Sequence, residues 1–222
     1  MAKGRELFEE LKSVVSGKTL DAVFPPVFFV MANSFLGLNT AVIIALFSAV
    51  VMGIGRLFRR ENWLYAVGGF LGVGFASGFA YLTDSAANYF IPTVISSGAL
   101  VLVALATLVT GKPLAAWVSH LTRGWPLDWF WRRDILPAYR EVTWLWLLFF
   151  LFRLVIHVIL LIDGNAVALI WVNTLLGWPG IVAILTVSYV YGMWRLRQLG
   201  GPGVEEYIAG DEGPWKGQTR GF

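Results

Sequence analysis

The sequence predicts an all-α membrane protein: six transmembrane helices arranged as three antiparallel hairpins, with both termini on the cytoplasmic side. Three observations predict it. Hydrophobic residues make up 57% of the 222-residue chain, charged residues only 14%, and the mean hydropathy is +0.68, a balance far from that of a soluble domain. Apolar runs of about twenty residues recur, and at 1.5 Å per residue each matches a hydrocarbon core about 30 Å thick. The turns after the first, third and fifth runs carry no Lys or Arg, and every basic residue except Arg153 lies on the opposite side, which is thereby the cytoplasmic one. A formal charge of +3 is too small to argue for nucleic acid. With no cysteine, the chain can build no disulfide, thiolate metal site or iron–sulfur cluster of its own.

Residues 1–19 read as an amphipathic surface helix. Leu7, Phe8, Leu11, Val14 and Val15 share one helical face, while Glu6, Glu9 and Glu10 exclude a signal peptide. A solvated helix packed on the protein's own cytoplasmic loops is the alternative. Residues 20–198 form the six-helix domain. Its first span, Leu20–Leu36, contains Pro25-Pro26, which must sit in the first turns or kink the helix. A turn at Gly37–Asn39 leads to the second, Thr40–Phe58, which ends on Arg56, Arg59 and Arg60.

The third span, Trp63–Leu82, carries the spaced pairs Gly68/Gly72 and Gly74/Gly78, a pattern that lets a neighbouring helix approach closely and admits a homodimer. The fourth, Phe90–Thr110, has Pro92 in its first turn. The fifth is Thr143–Ile162, with tryptophans at one end and Asp163 at the other. The sixth, from Ala166 to Arg195, is too long for one straight crossing, and Gly177-Trp178-Pro179-Gly180 predicts a break into two helices. Such a break is either a satisfied kink or a place where backbone groups meet a ligand.

Between spans four and five, residues 111–142 interleave Trp117, Trp125, Trp129 and Trp131 with Lys112, Arg123, Arg132, Arg133 and Arg140. This composition predicts a cytoplasmic loop at headgroup depth, its rings in the interface and its cations on anionic lipid at about 1 kcal/mol each. A nucleic-acid groove is disfavoured in a loop so apolar. Residues 199–222, with seven glycines and no sustained apolar period, read as a flexible tail.

Arg153 is the residue that demands explanation, because it falls midway along the fifth span with His157 four residues on, on the same face. A guanidinium at that depth costs about 2.5–3.5 kcal/mol on insertion scales, so it must face protein, water or an anion. One reading is structural: an internal pair with Asp21 or Asp84 that fixes helix packing. The other is an anion site completed by Asn173, Asn33 and the Gly177–Gly180 break, with His157 lending pH dependence. No carboxylate lies in the middle of a span, which disfavours a carboxylate proton relay. The two histidines, His120 and His157, are expected at different depths, so they form neither a bis-histidine haem site nor, with Ser96, Ser97 or Ser188, a recognisable triad. No cofactor, metal or catalytic residue is predicted.

The stretches VFPPVFFVMANSFLGLNTAVIIAL, FIPTVISSGALVLVALATLVTGKPLAAWV, WRRDILPAYREVTWLWLLFFLFRLVIHVIL and WVNTLLGWPGIVAILTVSYVYG resemble a bacterial integral-membrane family of unknown function, the domain of unknown function 3159 type, over about residues 19–197. Pro92-Thr93, Lys112-Pro113-Leu114 and Trp171-Val172-Asn173 are also distantly similar to intracellular septation protein A. The basic–aromatic loop and the Arg153/His157 pair depart from the septation pattern. The resemblance implies a non-catalytic protein of the bacterial inner membrane that organises partners or lipids in envelope maintenance. Two alternatives stand beside it: a small transporter, channel or lipid-moving protein with an anion site at Arg153, and an accessory subunit of a larger membrane complex. The expected partners are anionic lipid headgroups on the cytoplasmic face, other membrane proteins or a second copy of the chain, and no nucleic acid.

Overall fold

The structure, a computed structural model, describes residues 18–58, 63–219 and 221–222, with residues 18–24 and 65 described by backbone alone. The surface helix expected over 1–19 therefore lies outside the described residues except for its last two positions, as do the side chain of Asp21 and residues Arg59 and Arg60. Regular structure among the described residues is entirely helical. In chain order it comprises α1 (Lys18–Leu36), α2 (Leu38–Phe58), α3 (Trp63–Leu82), a 3-10 turn (Ala86–Phe90) and α4 (Ile91–Val109). There follow α5 (Leu114–Arg123), α6 (Leu127–Phe130), α7 (Leu136–Ile162), α8 (Ala166–Leu176), α9 (Trp178–Leu199) and α10 (Val204–Ala209). Among the described residues, four stretches are long and apolar enough to cross a membrane: Leu38–Phe58, Ala86–Val109, Leu136–Ile162 and Ala166–Leu199. The described parts of α1 and α3, Pro25–Leu36 and Ala66–Leu82, are shorter apolar helices.

The chain divides into two units, each with its own core: Met1–Val94 with Ile156–Trp178, and Ile95–Val155 with Pro179–Phe222. In the first, α1 runs through Pro25 and Pro26 and stops at Gly37, whose φ of +80° is a left-handed turn open to glycine at little cost. The Gly37 N–H donates to the Asn33 carbonyl and the next helix starts at once. Helix α2 buries Ala41, Ala45 and Ala49, four residues apart and so on one face, where small side chains let its neighbours close in. Phe29 of α1 stacks on Tyr89 of the 3-10 turn, centroids 4.3 Å apart, and Phe90 and Leu169 complete this core.

In the second unit, α7 begins at Leu136, a full two turns before the expected Thr143, because Pro137 sits in the first turn, where its missing N–H has no helical acceptor to serve. The segment read as a surface loop is thus two short helices followed by the start of a span. Its tryptophans also depart from expectation: Trp125 and Trp129 are buried and Trp117 and Trp131 half-buried. The buried indole N–H of Trp129 donates to the Pro202 carbonyl at 3.0 Å. Residues 199–222, read from composition as flexible, carry α10 and pack into this core through Val204, Gln218 and Phe222. Glycine content signals backbone freedom, but here Gly200, Gly210, Gly217 and Gly221 take positive φ, the first two in turns that close α9 and α10.

The predicted interruption of the last apolar stretch falls at Gly177, between α8 and α9, with Pro179 in the first turn of α9. Asn165 caps α8 by accepting the Ala168 N–H at 2.9 Å. At the other end, a methyl group on Gly177 would overlap the Asn173 carbonyl oxygen, so the break admits glycine alone. Gly177→Ala should lower the apparent unfolding temperature of the detergent-solubilised protein, with a cost of about 1–3 kcal/mol typical of overpacking. Gly74→Ala, where an added methyl meets nothing within 4 Å, should leave it unchanged.

Candidate functional site

The residues singled out from sequence occupy different settings. Arg153 and His157 sit four residues apart on the uninterrupted α7; Arg153 is half-buried and belongs to the second unit, while His157 is fully buried in the first. Asn33 is half-buried in the last turn of α1. Asp84 is exposed in the turn after α3, with a left-handed φ of 50°. Asn173 alone of the four proposed polar-site residues lines a cavity of the first unit.

That cavity, of about 300 Å³, lies among α1, α2, α3, the 3-10 turn, the first residues of α4, and α8. Ala49, Met52, Gly53 and Arg56 come from one face of α2, spaced three and four residues apart. Facing them, α3 contributes a wall of Gly68, Gly69 and Gly72 followed by Val73 and Ala76. Polar groups enter from elsewhere: Tyr89 from the 3-10 turn, Thr93 from α4 and Asn173 from α8. A methyl group on Gly69 would stand 3.5 Å from Arg56 Nη1, which locates the guanidinium against the glycine wall. Arg56, Tyr89 and Thr93 were not among the residues picked from sequence. Arg56 reads there as one more basic residue closing a span, and the only hint was its position one turn ahead of Arg59 and Arg60 at the end of the apolar run.

In the second unit three of the five expected lipid-contacting cations lie against the protein's own rings, one of them also paired with a carboxylate. Lys112 Nζ stands 5.8 Å from the Trp131 ring and the Arg123 guanidinium 4.7 Å from that of Trp125. Arg132 makes a two-point pair with Asp134, at 2.9 and 2.8 Å, and lies beside the rings of Tyr207 and Trp215. Arg133 and Arg140 are exposed. Beneath them Trp125, Trp129, Phe130 and Tyr139 pack largely edge to face, and Phe222 stacks on Tyr139 at 4.3 Å.

Two carboxylates hold this cap together, and neither was picked from sequence. Glu141 of α7 accepts from Arg195 Nε and Nη2 of α9, at 2.9 and 3.0 Å, and from the Tyr191 hydroxyl at 2.8 Å. It escaped notice because it stood at the end of an assumed loop, where a carboxylate seems unremarkable. Glu206 of α10 accepts three backbone N–H groups, from Gly203 at 2.8 Å, Lys216 at 2.7 Å and Gly217 at 3.1 Å. These bonds, that from Gly203 foremost, hold its carboxyl below the usual carboxylate range.

Among known families, one model matches residues 15–196, described as a protein of unknown function, DUF3159. No curated protein matches the chain, and no solved structure does.

Because the Glu206 pKa is depressed in the folded state, its stabilisation is in full force above the unfolded carboxylate value of about 4.3 and fades as pH falls through the lower folded value. Amide exchange of residues 199–217 should accordingly be slow at pH 7 and quicken, after correction for intrinsic rates, only in acid below about pH 4. Glu206→Gln should bring that faster exchange to pH 7.

Proposed function

The chain belongs to DUF3159, a family of proteins of unknown function, and from that premise we propose that it is a non-catalytic, multi-pass protein of the bacterial inner membrane that organises lipids or partner proteins at its cytoplasmic face. In this reading α1, α2, α3, α4, α7 and the α8–α9 pair cross the bilayer as three hairpins. Residues 1–19, the α4–α7 connection and residues 199–222 then lie in the cytoplasm, as the distribution of Lys and Arg indicates. A role in envelope maintenance is part of this proposal and is what a resemblance of Pro92-Thr93, Lys112-Pro113-Leu114 and Trp171-Val172-Asn173 to intracellular septation protein A would imply.

The observation that carries this reading is the aromatic–basic cap of the second unit. A rigid aromatic core supports exposed Arg133 and Arg140, and ring contacts and a carboxylate pair fix the positions of Lys112, Arg123 and Arg132. Fixed cations at a membrane surface attract anionic headgroups without the entropy cost of ordering a loose loop. Purified in mild detergent from membranes of equal anionic and zwitterionic phospholipid, the protein should carry an excess of the anionic species. The double variant Arg133→Gln/Arg140→Gln should lose that excess by about tenfold. Equal retention of the two lipids by the unaltered protein sinks the reading.

A second reading rests on Arg153, half-buried on a helix whose other residues are nearly all apolar: a small transporter, channel or lipid-moving protein with an anion site there. It predicts that proteoliposomes of the unaltered protein pass chloride or scramble a labelled anionic lipid, and that Arg153→Gln, still folded, does neither. Absence of both activities from the unaltered protein removes this reading and leaves the first.

A further inference from the structure

A cavity of about 220 Å³ lies in the second unit among α5, α7 and α9. Ala115, Val118, Trp146 and Leu185 give it an apolar lining. Hydroxyls in its wall are already engaged: Thr122 donates to the Val118 carbonyl at 2.8 Å, and Ser188 donates to the Ile184 carbonyl at 2.6 Å while accepting from the Trp146 indole. The space therefore suits an apolar occupant. Val118, Leu185 and Tyr189 of the lining are exposed, so the mouth faces hydrocarbon when α7 and α9 cross a bilayer. One wall comes from far along the chain, and that wall is Phe222.

The Phe222 ring has a seat cut to its shape. It stacks on Tyr139 of α7, centroids 4.3 Å and planes 13° apart, and it lies against Gly192 of α9, where a Cβ would overlap it. With the ring seated, Tyr139 has no exposed surface. The segment before it is held in another way. Glu206 and Gln218 accept backbone N–H groups from Gly203, Val204, Lys216 and Gly217, and the ring can leave its seat without undoing any of those bonds. Gly217, with a left-handed φ of +81°, stands between the two parts. Burial of one phenyl ring favours the seated state by about a hundredfold, which places its release among the low-cost local openings of a fold. An acyl chain entering the seat offsets that loss, because one apolar surface replaces another, and in a bilayer such chains surround α7 and α9.

We propose that Phe222 is a removable plug: seated, it closes this cavity, and lifted, it admits an acyl chain of a membrane lipid, which takes the ring's place on Tyr139 and Gly192. The seat keeps its shape when the ring leaves, because Glu141 ties α7 to Arg195 and Tyr191 of α9 close by. The proposal rests on the membrane placement of α7 and α9 proposed above and not on the cap's choice of headgroup. Retention of anionic lipid and exchange of the plug can therefore fail separately.

The test uses the full chain in nanodiscs of phosphatidylcholine carrying a photoactivatable diazirine on one acyl chain, with the adducts mapped by mass spectrometry. Exposed Tyr189 serves as the reference and Trp129, buried in the same core as Tyr139, as the control. In the unaltered protein Tyr139 should be labelled at about one hundredth of the Tyr189 level, with Trp129 unlabelled. Phe222→Ala should raise Tyr139 labelling at least about tenfold. Gly192→Ala should do the same, since the three nearest atoms to its methyl all belong to the Phe222 ring. Phe222→Leu, which keeps an apolar plug, should stay near the unaltered level. Absence of Tyr139 adducts from the unaltered protein would mean a ring that never leaves, and would overturn the proposal. So would Tyr139 labelling that neither Phe222→Ala nor Gly192→Ala changes, or equal labelling of Tyr139 and Trp129, which means that the core opens as a whole. If Phe222→Ala does not fold, Gly192→Ala and the unaltered protein still decide it.

Discussion

Hydrocarbon solvates neither a charge nor an amide, so a helix built to sit in it can carry a polar side chain only where the protein, or something the protein holds, covers that group. This constraint selects the residues worth attention in a chain so apolar. In the second unit it is met internally: the Trp146 indole donates to Ser188, and Glu141 gathers Arg195 and Tyr191. In the first unit Arg56, Tyr89, Thr93 and Asn173 line one cavity. The second unit thus joins several of its polar side chains in pairs, and the first gathers some of its own around a cavity.

Two arginines stand out, for different reasons. Arg153 draws the eye because it interrupts the longest apolar run, and its half-burial on α7 keeps a functional reading open. Arg56 looks like part of the basic fringe that orients a membrane protein. The difference lies in the direction of a side chain: a fringe arginine reaches for water, whereas this one turns inward along a wall of glycines. Small residues in α3 therefore do more than allow helices to approach. They make room for a charge.

Much of the helical layout was legible in the sequence. The helices read as spans two, three and four were placed within about three residues of their observed ends, because apolar run length and the turn chemistry of Gly37 and Pro92 are local signals. The interruption at Gly177 was legible for the same reason, since glycine and proline act on the backbone where they stand. What composition concealed was everything that depends on a distant partner. Trp125 and Trp129 read as interfacial rings because tryptophan beside arginine is what an interface looks like, whereas they belong to a core that includes Val204 and Phe222, with Trp129 bonded to Pro202, and no local pattern announces those partners. The tail read as flexible because its glycines are many, whereas its order comes from Glu206 and Gln218 collecting backbone N–H groups far along the segment. Arg56 escaped for a related reason, as side-chain direction at a helix end is set by the neighbouring helix.

The bond between Trp129 and Pro202 joins positions 73 residues apart, and both α7 and the α8–α9 stretch lie between them. An aromatic core assembled from such distant parts cannot close while those helices are still leaving the ribosome and entering the bilayer. Its earlier half must wait, and tryptophans are at ease waiting at a membrane surface, where a ring can rest among headgroups with its N–H still hydrated. The composition that suggests a lipid-facing loop is therefore also what a segment needs if it is to stay at ease before a partner 73 residues further on covers it.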